Sequence, residues 1–399
     1  MREEILWKML GRERPLFLQD IEVNSDDLSS KIRGARILVV GAAGTIGGAF
    51  TREVAKYSPR GLCLIDLSEN NLVETVRNLR SSNCPLPEDF QTLAIDFRGI
   101  EFDRFLKAQE SFDYVANFAA LKHVRSERDP FTLMRMVDTN VLAFEEMLGL
   151  LAETGTSKVF SVSSDKAVNP ANAMGASKMF MEQVLAANSD KIPYSTARFA
   201  NVLFSDGSLP AGFEKRLALG QPISAPSDVV RYFVTEQEAG RLCTLACFLG
   251  GNGEVFFPRL DPEADMRSFS DIAEAFLKER DYEVQRCDSE EEARRKSGEL
   301  TADSKRWPCY FSASDTTGEK MFEEFHAEGA AVDLDRFHDI GVTGLATGVG
   351  EDKVKEALAR LREIRTSSSW SKQDIIHAIQ MAVPDFVHEE KLKNLDKKM

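Results

Sequence analysis

The stretch RILVVGAAGTIGG, Arg36 to Gly48, constrains this chain most. Arg36–Val40 is a short apolar, β-branched run, the pattern of a strand buried on both faces. It leads straight into Gly41, Gly44 and Gly47, and a helix is expected from about Gly47 to Tyr57. The first glycine allows a tight turn. The second lets the backbone approach a pyrophosphate, and the third lets helix and strand pack closely. The turn that includes Thr45 and Ile46 then offers free amides and a positive dipole end to phosphates. Glycines at this spacing are a weak sign alone; here strand, turn and helix stand in order.

The same alternation continues downstream. Residues 62–66 (LCLID), 92–96 (TLAID), 114–120 (YVANFAA), 158–164 (KVFSVSS) and 194–201 (YSTARFAN) read as strands. Helices are expected between them, the longest over 131–153 and 173–187. This order implies an α/β fold, a Rossmann-type doubly wound parallel sheet with ligands at the C-terminal strand ends. Residues 1–35 read as an N-terminal helix and connector, and 36–201 as the dinucleotide-binding domain. After Asn201 the pattern becomes mixed, which suggests a smaller substrate-binding lobe over 202–345. Residues 346–399 read as a helical C-terminal extension without a legible motif.

Asp66 ends the second expected strand, 19 residues after Gly47. An acid there accepts hydrogen bonds from a ribose 2′-OH and repels a 2′-phosphate, and no Arg follows before Arg77. NAD is therefore expected over NADP, with Leu67 and Ser68 beside the ribose. Asp96 and Phe97 fall where the adenine would lie, although Asp96 reads equally as a loop cap. Ala119 and Ala120 close the fourth strand against the same groove.

The run VSSDKAVNPANAMGASK, Val162 to Lys178, carries the chemistry. It ends like a Tyr-x-x-x-Lys pair of a short-chain dehydrogenase, but Met174 holds the Tyr position, and a thioether takes no proton from an alcohol. Lys178 would hold the nicotinamide ribose. Ser164 ends the fifth strand, and Asp165 and Lys166 follow it. An acid and a base at that point suit an elimination better than a plain alcohol oxidation. An ordinary loop ion pair is the bland alternative.

These residues carry a family resemblance. The run SSDKAVNPANAMGASK resembles the signature of the nucleotide-sugar 4,6-dehydratases of bacterial polysaccharide biosynthesis, within the extended short-chain dehydrogenase/reductases. FAALKHV (118–124), RFANVLFSDGS (198–208), RYFVT (231–235) and TGEKMFEE (317–324) are similar to four further runs of that family, in family order. MLGRERPLFLQD (9–20) resembles the connector of a branch that carries Met for Tyr, has membrane-anchored members and acts on UDP-N-acetylglucosamine.

The resemblance implies a 4,6-dehydratase that uses NAD. It implies that Asn201 and Arg231 touch the diphosphate and that Glu319 lies near the nucleotide ribose. Lys122 would touch the cofactor ribose or a substrate phosphate. His123 faces the cleft or is a packed histidine, and Asn140 would orient the Lys122 region or a water. Lys178 through water, or Ser164 as a relay, would replace the missing Tyr. The chain departs from the family at Asn117, Ala200, Phe204 and Asp206, which places the doubt on the substrate. A nucleotide-sugar 4-epimerase and a non-catalytic NAD-binding regulator are the rival readings; the Asp165–Lys166 pair speaks against both.

The formal net charge of −14 argues against nucleic acid and anionic membranes as partners. Six cysteines in no metal-ligand pattern, several within apolar runs, fit free thiols in a reducing cytoplasm. No apolar run reaches the length of a membrane span. A homodimer or higher homo-oligomer is expected from the resemblance, through the helices over 131–153 and 173–187.

Overall fold

A computed structural model describes residues 3–314, 324–345 and 348–388. The segment before the first strand forms three short helices, α1 (Glu3–Met9), α2 (Leu18–Val23) and α3 (Ser25–Ile32). Strands and helices then alternate: β1 (Arg36–Val40), α4 (Thr45–Ala55), β2 (Gly61–Asp66), α5 (Glu69–Ser81), β3 (Asp89–Ala94), α6 (Ile100–Ala108) and β4 (Tyr114–Asn117). Next come α7 (Pro130–Val137), α8 (Ala143–Glu153), β5 (Lys158–Ser164), α9 (Ala173–Ala187) and β6 (Tyr194–Phe199).

The later part is mixed. It holds β7 (Asn201–Val202), α10 (Leu209–Ala218), β8 (Ile223–Pro226), β9 (Val230–Val234), α11 (Glu236–Leu249) and β10 (Glu254–Pro258). After these run α12 (Pro262–Asp265), β11 (Met266–Ser268), α13 (Phe269–Lys278), β12 (Glu283–Cys287), α14 (Glu290–Ser297) and β13 (Arg306–Ser312). The short strands β14 (Val332–Asp333) and β15 (Ile340–Gly344) precede the helices α15 (Glu351–Thr366) and α16 (Lys372–Ala382).

Nine strands form the central sheet, in the order β14-β15-β10-β6-β5-β4-β1-β2-β3. The pairings from β3 across to β10 are parallel, and β15 and β14 add antiparallel at the edge. The doubly wound expectation therefore holds. The chain does not, however, leave this sheet at Asn201, because β10, β14 and β15 return to extend it. A hydrophobic strand edge at β6 is satisfied by pairing rather than left open. Two three-stranded sheets, β11-β9-β7 and β12-β13-β8, stand apart from it.

Apolar layers cover both faces of the large sheet. On one face Phe50 packs near Phe118, Phe160 and Phe248, with ring centroids 5.1, 6.4 and 6.2 Å away. There α4 and α11 touch so closely that a Cβ on Gly240 would lie 2.8 Å from the Ala49 backbone. The other face carries α7, α8 and α9 under α15 and α16. The N-terminal segment is strapped down by buried charge. Arg12 pairs with Glu238 at 3.0 Å and Asp265 at 3.3 Å, and Arg14 pairs with Asp339 at 2.8 Å. No helix among the described residues is long and apolar enough to cross a membrane.

Two local departures from the expected elements matter for the site. The third strand ends at Ala94, so Asp96 sits in a loop, held by its bonds to Arg98. The expected long helix is broken by a π-helical turn at Asp138–Leu142. There Asn140 turns inward and grips the backbone after β4: Oδ1 accepts from the Leu121 N–H and Nδ2 donates to the Leu121 carbonyl, both at 2.9 Å. A π-turn of this kind re-aims one side chain within an otherwise regular helix.

Candidate active site

The glycine turn is built for close approach. Gly41 has φ 76°, and a Cβ there would lie 2.6 Å from the Ala119 nitrogen. On Gly47 a Cβ would lie 2.2 Å from the Gly41 carbonyl oxygen. Gly44 differs: a Cβ there would meet only the Gly41 oxygen at 3.5 Å, so space opens above it. Gly44 is the N-cap of α4 and provides no side-chain cap, which leaves the Thr45–Gly47 end of the helix to an outside acceptor. Asp66 fixes the neighbouring edge, accepting from the Ala43 N–H at 2.9 Å and the Ser68 N–H at 2.8 Å.

Two cavities meet over this turn. A smaller one of about 240 Å³ is lined by Gly41, Gly44, Asp66, Leu67, Asp96, Phe97, Ala119 and Ala120, together with Arg98. A larger one of about 500 Å³ is lined by Thr45, Ile46, Gly47, Lys122, His123, Ser164, Asp165, Lys166, Met174, Lys178 and Asn201. The candidates read from distant parts of the chain thus converge on one cleft. Ser68, next to the lining residue Leu67, is the cap that accepts from the Asn71 N–H at the start of α5. Arg231 is not part of the described lining; it is buried on β9 and donates to the Val230 carbonyl at 2.8 Å. Glu319 lies outside the described residues.

The acid–base cluster is compact. Asp165 is 2% exposed, and its Oδ1 accepts from Ser164 Oγ and the Lys166 N–H, both at 2.8 Å, and from Lys166 Nζ at 3.2 Å. The Lys166 N–H also donates to Ser164 Oγ at 3.1 Å. Gly175 lets α9 press onto this turn, since a Cβ there would lie 2.3 Å from the Lys166 carbonyl oxygen. The N-terminus of α9 is held twice: Asn172 Oδ1 accepts from the Gly175 N–H at 2.8 Å, and Glu127 Oε2 from the Ala173 N–H at 2.7 Å. Lys178 is buried one turn further along. Its Nζ donates to the Val162 carbonyl at 3.0 Å. Burial lowers its pKa to about 8, against the opposing pull of Glu182. Glu182 itself forms a bidentate buried pair with Arg198 at 2.9 and 2.7 Å.

The opposite wall comes from the run that departs from the family around Asp206, together with Ser208 and Pro210, which the sequence did not single out. Ser205, Gly207 and Ser208 line the cleft with Pro210, so the N-terminal end of α10 opens into it. The Ser-x-Pro opening of that helix was its available signal. Gly207, at φ 72°, lies under the His123 ring: a Cβ would come within 2.9 Å of it. His123 is thus packed on the wall, its pKa lowered by burial and then by Lys122 and Arg125. Burial also lowers the pKa of Lys122, with Asp206 acting in the other direction. The Asp206 N–H donates to Thr45 Oγ1 at 3.1 Å and ties this wall to the glycine turn. The Ser163 hydroxyl lines the cleft, buried and without a partner, which leaves a polar group for a bound molecule. Among the described residues no group of His, Cys, Asp and Glu is arranged to hold a metal ion.

Fold and cleft together define a doubly wound α/β protein with a nucleotide cradle beside a Ser-Asp-Lys cluster. The chain belongs to the polysaccharide biosynthesis protein family, whose family model matches residues 37–342. It is 32% identical to a membrane protein of Methanocaldococcus jannaschii, MJ1061, over 59% of this chain and 69% of that one. It is 26% identical to an inverting UDP-N-acetylglucosamine 4,6-dehydratase of Campylobacter jejuni, over 57% and 67%. The match to the capsular polysaccharide biosynthesis protein CapD of Staphylococcus aureus, 30% identical, spans 62% of this chain and only 41% of that protein. Among solved structures, Pen from Bacillus thuringiensis shares the fold, at TM-score 0.63 and 22% identity over 83% of this chain and 98% of that one.

Proposed function

We propose that this protein is an NAD-dependent nucleotide-sugar 4,6-dehydratase acting on UDP-N-acetylglucosamine. The observation that carries the reading is the buried Asp165 bound to Ser164 and Lys166 at the end of β5, in the same cleft as the glycine turn. The relative of that activity supports the substrate class.

The cradle fits a dinucleotide on three counts: the open space above Gly44, the uncapped start of α4, and the orphaned Ser163 hydroxyl. Asp66 would bind the adenosine ribose. Asp66 would also repel a 2′-phosphate, and Arg98, one of two arginines that line that cavity with Arg135, is already paired with Asp96 and with Asp138 at 3.1 Å, so NAD is favoured. When bound, the nicotinamide supplies a reversible two-electron oxidation, taking hydrogen from C4 of the sugar and giving it back at C6.

The chain's own residues move the protons. Lys178, neutral in a useful fraction near its pKa of about 8, receives the C4 hydroxyl proton through a water, in place of the absent Tyr. The C4 ketone acidifies the C5–H, and Lys166 Nζ takes that proton. Asp165 gives a proton from Oδ2 to the C6 hydroxyl, the C6–O bond breaks, and water leaves; once C6 has received its hydrogen, Lys166 returns the proton to C5. The three hydrogen bonds to the Asp165 carboxylate fall on Oδ1, which leaves Oδ2 for this task. Met174 forms an apolar wall. Lys122 and Asn201 face the diphosphate.

The test is incubation with UDP-N-acetylglucosamine and mass spectrometry of the nucleotide sugar, with Lys166→Ala alongside. Loss of one water in the parent and none in the variant supports the reading. Interconversion of C4 epimers with unchanged mass would replace it with the 4-epimerase. Bound NAD with no turnover of UDP-, GDP- or dTDP-sugars would leave only a regulatory role.

A further inference from the structure

The antiparallel pairing of β9 with β11 stops abruptly. Its register runs Ser268 with Val230, Arg267 with Arg231 and Met266 with Tyr232. The next pair would be Asp265 with Phe233, but Asp265 belongs to α12, so the two segments part there. Arg12 bridges the parting. Its Nη2 donates to the Phe233 carbonyl at 2.6 Å and its Nε to Asp265 Oδ1 at 3.3 Å. The third contact, Nη1 to Glu238 Oε2 at 3.0 Å, fixes the guanidinium to the start of α11. The Arg12 side chain is 8% exposed and that of Glu238 is fully buried. Glu238 is itself held: Oε2 accepts from the Thr235 N–H at 2.7 Å and Oε1 from the Leu16 N–H at 2.9 Å. A planar guanidinium with donors in fixed directions can join three such acceptors at once.

The bridged segments carry part of the cleft. Phe233 and Phe269 both line its larger cavity. Their rings meet edge to face, with centroids 5.5 Å apart at 88°. Phe269 follows β11 directly, and Phe233 pairs with Asn201 on the other side of β9. The neighbours Tyr232 and Val234 join the core of the large sheet instead, as alternation along a strand requires.

We propose that Arg12 is a positioning residue for the cleft: its side chain continues the β9–β11 pairing where the backbone ladder ends, and so holds Phe233, Phe269 and Asn201 in place. The consequence for the substrate rests on the function proposed above; the consequence for the rings does not.

Fluorine NMR of the full chain, with 4-fluorophenylalanine in place of Phe269, reads the ring without reference to turnover. Arg12→Lys keeps a charge beside the buried Glu238, but a single ammonium does not span the three acceptors. Asp265→Ala removes one acceptor only. Each variant should broaden and shift the fluorine signal of the parent. Arg14→Ala, which breaks the Arg14–Asp339 pair on the same N-terminal segment, should leave it alone. A signal unmoved by both variants, or moved as far by Arg14→Ala, overturns the proposal. In turnover the two variants should raise KM for UDP-N-acetylglucosamine about tenfold, the scale of one lost hydrogen bond to a charged group, with kcat near the parent value. A fall in kcat at unchanged KM also overturns it. A parent chain that turns over no sugar nucleotide would sink the proposed function, and the fluorine signal alone would then decide the role of Arg12.

Discussion

The two halves of the cleft are built by different means. The dinucleotide half is mostly backbone: a glycine turn, a helix start and the ends of β1, β2 and β4. The other half, given to the sugar in the function proposed, is mostly side chain, drawn from Lys122, Asp165, Lys166, Asn201 and the wall from Ser205 to Pro210. A backbone cradle binds any dinucleotide of the right shape and leaves the chemistry open. Side chains on irregular segments decide which sugar enters and what happens to it. Of the departures, Asp206 lines the second half, while Phe204, at φ 56° and outside the usual range for its type, packs on Phe276 with centroids 5.6 Å apart.

Substitutions that separate the halves should differ in kind as well as size. Lys166→Ala should lower kcat by about 10³-fold, within the range for loss of a proton-transfer group, with NAD affinity unchanged in a titration. If NAD affinity falls as well, the two halves are not separable. Gly47→Ala should do the reverse. Its Cβ would lie 2.2 Å from the Gly41 oxygen, so the turn must shift; NAD binding should weaken by about 100-fold and stability should fall by about 1–3 kcal/mol. Asp66→Ala should weaken NAD by about tenfold, the loss of one charge-assisted hydrogen bond, while kcat at saturating NAD stays near the parent value.

Lys178 belongs to both halves and should show it in pH dependence. Its pKa in the fold is about 8, below the free value of 10.5. As a base it must be neutral, so kcat should rise as pH increases through about 8; a fall over that range would assign it a purely cationic role. Between about 8 and 10.5 the unfolded chain binds more protons at this site than the folded one, so its contribution makes stability rise with pH. Lys178→Met should therefore abolish turnover and yet raise stability near pH 7 by about 1 kcal/mol in denaturant unfolding. The smallest effect is expected for Asp206→Asn. Removing a carboxylate beside Lys122 should lower KM for the sugar nucleotide by about two- to fivefold and leave NAD affinity alone.

The legibility of the site follows the same division. Arg36–Val40, Lys158–Ser164 and the helix Ala173–Ala187 match the sequence expectation at both ends. In each, the pattern of apolar residues and the bounding turn or cap are local. Asp165 and Lys166 were legible because they follow such a strand directly. For the Ser205–Pro210 wall the sequence offered only a family departure, since its place against His123 and Thr45 depends on contacts between segments remote in sequence. Arg98 escaped notice because its pairing with Asp138 requires α7 to arrive beside β3's loop. Ser68 caps α5 and Arg231 donates to the Val230 carbonyl, partners that only the folded chain reveals.

The sequence by itself determined the doubly wound sheet, the glycine turn and the placing of the Ser164–Lys166 run at a strand end, because periodicity and turn chemistry act over a few residues. Only the tertiary structure decided three other things: that β10, β14 and β15 return to the central sheet, that a π-turn aims Asn140 at Leu121, and that α15–α16 covers α9. Each is a pairing between segments far apart in the chain. An apolar stripe states that a surface must be buried; which surface meets it is settled only when the whole chain packs.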